Sequence, residues 1–384
     1  MIPYGKQDIS DKDIEAVVAV LRSDFLTQGP VVPKFEAVIA GYCRVHFATA
    51  FANATAALHI ACLALDVTKD DVVWTSPISF VASANCALYC GATIDFVDID
   101  YATNNICTLK LEEKLAEAKS RNALPKVVIP VHMGGQSCDM KKIFALSQEY
   151  GFSVIEDASH AIGASYLSEP VGSCQFSDIT VFSFHPVKII TTGEGGIAVT
   201  NNQNLHSRME LLRSHGITRS PEQMVHASEG GWYYQQTELG FNYRMTELQA
   251  ALGVSQVARL DKFVNTRNQL ALNYDKELQG LPIDIPVHEP NVKSSYHLYI
   301  VKLQTSDPYL RKSFFDHLRS NGVGVNVHYI PIHLQPYYQN LGFKKGNFPI
   351  AERYYDNAIS LPLHPNLSAT DQSHIVDKIR DFLA

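Results

Sequence analysis

Two periods of apolar and polar residues alternate along this 384-residue chain. Ser10-Asp-Lys-Asp13 has the form of a capping box. Ile14, Val17, Val18 and Leu21 follow it at helical spacing. Residues 56–65 are almost wholly apolar apart from His59, the pattern of a helix buried on all sides. Short apolar runs then read as strands at 72–76, 94–98, 126–131, 153–156, 179–183 and 197–200. Helical patterns fall between several of them, as at 140–150. This alternation predicts an α/β fold on a mostly parallel, doubly wound sheet.

The tail changes character. Thr246-Glu-Leu-Gln249 opens a long helical segment with a second capping box. Beyond it, 296–303 reads as a strand, 308–320 as a helix and 323–329 as a strand. A last amphipathic helix over 371–382 puts Ile375, Val376, Ile379 and Phe382 on one face. The expected organisation is a large domain over 1–255 and a small α+β domain over 256–384, divided inside the long helical segment.

Apolar residues make up 46% of the chain, enough for a full core. Lys plus Arg is 32 and Asp plus Glu is 39, a net charge of −7, which argues against a nucleic-acid surface. An anionic substrate must therefore be met by local donors. The seven cysteines, at 43, 62, 86, 90, 107, 138 and 174, are odd in number and form no CxxC. They are expected to be buried free thiols in a reducing compartment. Cys86 and Cys90 share a helical face at i, i+4, but no matching Cys/His pair completes a metal set, so no metal is expected. No signal pattern and no run of about 18 apolar residues occurs, so the protein is expected to be cytoplasmic, with no membrane partner.

The candidate chemistry lies in two segments. In Phe182-Ser-Phe-His-Pro-Val-Lys188, a lysine follows the hydroxyl of Ser183 by five residues, in a turn that runs on to Gly193-Glu-Gly-Gly196. A lysine that forms a Schiff base needs such a loop, partly desolvated and with backbone able to approach a ligand closely. A surface lysine in a glycine-rich turn is the plainer alternative. Upstream, Val154-Ile-Glu-Asp157 is an apolar run ending in an acid, 31 residues before Lys188. Ligand chemistry in open α/β sheets gathers at the C-terminal ends of strands. Pyridoxal phosphate enzymes pair a carboxylate at the ring nitrogen with a lysine at the aldehyde carbon. Asn53-Ala-Thr55-Ala56 precedes the buried helix, where free N–H groups can hold a phosphate, or where Thr55 is merely an N-cap.

Glu156-Asp-Ala-Ser-His160, Ser183-Phe-His-Pro-Val-Lys188 and Gly193-Glu-Gly-Gly196 together resemble the DegT/DnrJ/EryC1/StrS sugar aminotransferases. Ile2-Pro-Tyr-Gly-Lys-Gln7, Leu26-Thr-Gln-Gly-Pro30, the 238–247 segment and His328-Tyr-Ile-Pro-Ile-His-Leu-Gln-Pro-Tyr337 extend the resemblance over nearly the whole chain. The opening segment and the last one are most similar to the pseudaminic acid branch. The resemblance implies pyridoxal 5'-phosphate as cofactor on fold type I, a large mixed-sheet domain plus a small C-terminal one. It implies Lys188 as the catalytic lysine. It places the cofactor against Thr55, Ala56, Phe80 (stacked on the ring), Asp157, His160 and Ser183, and against Asn242 of the other subunit of a homodimer. A core phenylalanine and an asparagine turn are the plain alternatives for Phe80 and Asn242. Where the family often has glycine this chain has Ala54, so the loop is expected to avoid φ > 0 there or to tolerate it at some cost.

Tyr4, Lys6, Thr27, Arg244, His328 and Tyr329 are the implied substrate contacts, with His333 beside them. Arg244 is left open between a ligand anion and Glu247. The implied reaction moves an amino group from L-glutamate, giving 2-oxoglutarate, to C4 of a UDP-linked 4-keto-6-deoxy sugar, in pseudaminic acid biosynthesis and flagellin glycosylation. Relatives that dehydrate sugars carry histidine in place of the lysine. Another 4-keto sugar (perosamine or 4-amino-arabinose type) and a non-catalytic coenzyme-binding regulator are the remaining alternatives.

Overall fold

The computed structural model describes residues 1–383. Seven strands form its main sheet: β1 (Phe47–Phe51), β2 (Val72–Thr75), β3 (Thr93–Phe96), β4 (Val127–Ile129), β5 (Ser153–Asp157), β6 (Ile179–Ser183) and β7 (Gly196–Thr200). Their spatial order is β1-β7-β6-β5-β4-β2-β3. Only β7 runs against its neighbours; β6, β5, β4, β2 and β3 pair in parallel. Five of the six strands predicted in this part of the chain differ from the observed ones only at their ends, and the sixth, over 179–183, matches. β1 lay outside the prediction. Phe-Ala-Thr-Ala-Phe has four of its five residues buried, so no polar alternation marks it as a strand.

Helices cover both faces: α1 (Asp11–Leu21), α2 (Val31–Cys43), α3 (Ala54–Ala64), α4 (Ala82–Tyr89), α5 (Thr108–Ser120), α6 (Met140–Tyr150) and α7 (Gln203–Arg213). The capping box at α1 forms, with the Ser10 N–H donating to Asp13 Oδ2 at 2.8 Å. α3 is buried along nearly its whole length, as its composition dictates. It packs beside α4 on the sheet, and Ala56, Ala57, Ile60 and Ala61 lie in the largest apolar cluster.

The long helical segment is two helices, α8 (Glu247–Val257) and α9 (Leu260–Glu277), broken at Ala258-Arg259. The Thr246 box closes on Gln249. The C-terminal part builds a three-stranded antiparallel sheet, β8 (Ile283–Asp284), β9 (Tyr299–Leu303) and β10 (Ala358–Leu361), in the order β8-β9-β10. It is packed by α10 (Leu310–Ser320), α11 (Pro349–Asn357) and α12 (Ala369–Leu383). The predicted strand over 323–329 is not one. Val323 and Asn326 make single bridges, to Ile2 and Ser360, and the chain then leaves the sheet edge toward a cavity. Among the described residues, no helix is long and apolar enough to cross a membrane.

All seven cysteines are free. Cys43, Cys62, Cys86 and Cys138 are buried, whereas Cys90, Cys107 and Cys174 are only part-buried.

Candidate active site

β5 and β6 are parallel neighbours that end at Asp157 and Ser183, with Asp157 opposite Val181. Their carboxyl ends open into a cavity of about 780 Å³ lined by Tyr4, Thr55, Phe80, Asp157, Lys188 and Tyr329, among others. Lys188 stands on the loop that joins β6 to β7. Its N–H donates to His185 O at 2.9 Å. The side chain is half-buried. Burial lowers the ammonium to about 8, and the Asp157 carboxylate opposes that shift. Among the described residues its Nζ takes part in no salt bridge, so a neutral amine faces the cavity more readily than on an ordinary lysine.

The glycine cluster has a steric reason. A Cβ on Gly196 would sit 2.5 Å from Ala54 N, so only glycine lets the start of α3 approach β7 this closely. Asn53, not Thr55, is the N-cap of that helix, and its Oδ1 accepts from Ala56 N at 2.9 Å. The N–H groups of Ala54 and Thr55 keep no acceptor among the described residues and lie on the cavity wall, a ready anion site. Ala54 is the first residue of α3, in right-handed conformation, as its non-glycine identity requires.

Asp157 is held on both oxygens. Ser159 donates to Oδ1 through its N–H at 3.1 Å and its hydroxyl at 2.6 Å, and Ser83 Oγ donates to Oδ2 at 2.5 Å. No helix follows Asp157, so its carboxylate caps none. On the other face of β5 lies Glu156, buried, with Oε2 2.7 Å from His132 Nε2. Cys138 N–H donates to His132 Nδ1 at 3.1 Å, so the ring proton sits on Nε2 and points at Glu156. Glu156 Oε1 accepts from Ser177 at 2.5 Å and Thr180 at 2.8 Å.

His160 does not bond to Asp157. Gly134 N–H donates to its Nδ1 at 3.3 Å, and its Nε2 lies 3.1 Å from the Tyr329 hydroxyl. Burial, then the charges of Lys188 and His328, hold the His160 imidazolium well below the usual range. Nε2 therefore carries the proton and donates to Tyr329, which leaves the phenol hydrogen free to donate into the cavity. His328 Nδ1 bonds Ser360 Oγ at 2.8 Å, and burial with Lys188 lowers the ring to about 4. The His328–Tyr329 peptide is cis. Phe80 is 59% exposed, so it belongs to the cavity wall and not to the core.

Other expectations fare differently. Lys6 and Thr27 are exposed and do not line this cavity. Asn242 is exposed, outside the cavity, and bridges Ser214 through its backbone. Arg244 donates to Ser214 Oγ at 3.1 Å and lines a separate cavity of about 450 Å³ with Arg213 and Arg219. The Glu247 alternative for Arg244 is overturned, because that carboxylate accepts from Val31 N at 2.6 Å and Val32 N at 3.1 Å at the start of α2. His333 is likewise corrected. It is fully buried, 2.9 Å from Glu352 Oε1, and has no access to the cavity.

Sequence reasoning missed Ser79, Ser83, Ser159 and the buried, cavity-lining His297. Ser159 carried a local signal, since Asp-x-Ser is the spacing of an Asx turn. Ser83 and His297 had none, because each is brought in by tertiary packing.

A lysine and an acid set at the carboxyl ends of neighbouring strands in a mixed α/β sheet define the fold type I aminotransferase architecture. The chain belongs to the DegT/DnrJ/EryC1/StrS aminotransferase family, whose model matches residues 7–380. It is 36% identical, over 100% of its length and 98% of the relative's, to a UDP-4-amino-4,6-dideoxy-N-acetyl-beta-L-altrosamine transaminase of Campylobacter jejuni. It is 33% identical to a GDP-perosamine synthase of Escherichia coli O157:H7, over 99% of this chain and 98% of that one. Among solved structures, Helicobacter pylori PseC, an aminotransferase involved in the biosynthesis of pseudoaminic acid, superposes with a TM-score of 0.90 at 32% identity. That match covers 100% of this chain and 99% of PseC.

Proposed function

We propose that this enzyme is a pyridoxal phosphate-dependent transaminase that moves the amino group of L-glutamate to C4 of a nucleotide-linked 4-keto-6-deoxy sugar. UDP-2-acetamido-2,6-dideoxy-β-L-arabino-hexos-4-ulose is the proposed acceptor, and the 4-amino sugar and 2-oxoglutarate are the products. The observation that carries the reading is Lys188, its ammonium lowered to about 8, across one cavity from an Asp157 carboxylate gripped by two serines. That donor set fits the coenzyme. Lys188 would hold its aldehyde carbon and Asp157 its ring nitrogen. The free amides of Ala54 and Thr55, with the Thr55 and Ser183 hydroxyls, would hold its phosphate, and Phe80 would cover the ring face.

When bound, pyridoxal phosphate supplies an electron sink for the charge left when a proton leaves the carbon bearing the nitrogen. Lys188 is the base that takes that proton from the donor Cα, and the acid that returns one on the way to product. Asp157 keeps a positive charge at the ring nitrogen. Tyr329, oriented by neutral His160, offers its hydroxyl hydrogen to the cavity. Asn242 is proposed to reach the cavity of a second copy, in a homodimer. Its exposure outside its own cavity supports this.

The reading is tested with the pure protein, pyridoxal phosphate, glutamate and sugar in sequence. A visible band should form with coenzyme, collapse with glutamate and return with the UDP-4-keto sugar. Return only with a GDP-linked 4-keto sugar would move the substrate to the perosamine type. A band that glutamate leaves untouched would remove the transaminase claim.

A pH dependence follows from Lys188. Its pKa is lowered, so the protonated form is the one disfavoured in the folded chain. Coenzyme capture by the apoprotein needs the neutral amine. The capture rate should rise about tenfold per pH unit up to about 8 and level above it. Stopped-flow absorbance checks this; a rate still climbing at pH 10 would mean an ordinary lysine.

A further inference from the structure

We propose that Ser83 is a positioning residue for Asp157, and that with Ser79 it ties the acid to the turn carrying Phe80. This rests on the coenzyme reading above. Ser83 is wholly buried near the start of α4. Its Oγ lies 2.5 Å from Asp157 Oδ2, 2.6 Å from Ser79 Oγ and 3.3 Å from Phe80 O. A hydroxyl has one hydrogen. A carboxylate only accepts, and its bond is the shortest of the three, so the Ser83 hydrogen goes to Asp157. Ser79 must then be the donor to Ser83. The chain of bonds has one direction, Ser79 to Ser83 to Asp157.

Counting donors on the carboxylate gives a second result. Oδ1 already accepts two bonds, from the N–H and hydroxyl of Ser159. Oδ2 accepts one, from Ser83. Oδ2 therefore retains the free lone pair that a protonated ring nitrogen can use, and Ser83 is the group that sets where that lone pair points. Hydrogen bonds to ionised groups are the short, strong class, so this contact restrains the carboxylate rotation more than a neutral pair would. The same serine sits three residues after Phe80, which covers the ring face in the proposed function. One hydroxyl chain thus fixes the spacing between the acid at the ring edge and the aromatic over the ring.

The test is Ser83→Ala, with Ser159→Ala as a milder partner that keeps the backbone N–H to Oδ1. Ser177→Ala is the control, since it removes the same kind of bond from Glu156 on the opposite face of β5. Three quantities are read: the apoprotein melting temperature, the apparent affinity for pyridoxal phosphate, and the visible circular dichroism per bound coenzyme. Ser83→Ala should weaken coenzyme binding roughly tenfold, as expected for a lost bond to a charged group. It should also reduce the dichroism per chromophore, because the ring is less firmly oriented. Ser177→Ala should leave both coenzyme readouts at the wild-type value. The proposal is overturned if Ser83→Ala keeps wild-type affinity and dichroism, or if Ser177→Ala lowers them equally. If Ser83→Ala fails to fold, the same two readouts on Ser159→Ala and Ser79→Ala decide the matter. Absence of any visible band in the wild-type protein is a different result, and overturns the coenzyme reading itself.

Discussion

Lys188→Ala is expected to lower turnover by about 10⁴-fold and to abolish the visible band that forms with pyridoxal phosphate. The size of the effect follows from two roles that one amine plays. In the proposed function it is the covalent anchor of the coenzyme and the base and acid at the donor carbon, roles that no neighbour shares. Five histidines line the cavity, and three of them, His160, His297 and His328, feel the Lys188 charge. All three are pushed toward the neutral form by burial, and each is further lowered by the charge of Lys188. His160 is committed to Tyr329 and His328 to Ser360. With the amine's pKa near 8, about a tenth of it is neutral at pH 7, against a few parts in 10⁴ for an ordinary lysine. The variant should still bind coenzyme non-covalently through the start of α3, which equilibrium dialysis can measure. Near-wild-type single turnover with glutamate would defeat the assignment. It would also revive the regulator alternative, in which the site binds but does not react.

The segments that meet at the cavity were legible because their signals are local. The Asp157 strand, the Lys188 turn and the glycines at 195 and 196 each follow from short stretches whose residue types leave few backbone options. The capping boxes at Ser10 and Thr246 were equally plain. What stayed hidden depends on distant packing. β1 has four of its five residues buried, so its run carries no period. His333 shares a segment with His328 and Tyr329, yet a short 3₁₀ turn over Ile332–Leu334 directs it onto Glu352 and away from the cavity. Arg244 sits three residues from Glu247, a natural ion pair in sequence, but Glu247 is spent on the amides that open α2. Ser83 meets Asp157 across 74 residues, a distance no local pattern spans.

Asp157→Asn is expected to reduce turnover by about 10³-fold while the chain folds and still takes up coenzyme. The substitution keeps the shape of the side chain and removes its charge. A carboxylate with a free lone pair on Oδ2 stabilises a positive ring nitrogen in the state where electron density flows into the ring, and that stabilisation is worth most when the charge is largest. An amide cannot do the same. If its oxygen faces the ring, the NH₂ meets the Ser159 N–H and hydroxyl, three donors with one acceptor between them. If the NH₂ faces the ring, it repels a protonated nitrogen. Either orientation breaks the pattern that Ser83 and Ser159 impose. The loss should therefore fall on kcat in both half-reactions, with glutamate and with sugar, and much less on KM. Rapid-mixing absorbance measures each half separately. A loss confined to the sugar half-reaction would place Asp157 against substrate, and would require another residue to hold the ring nitrogen.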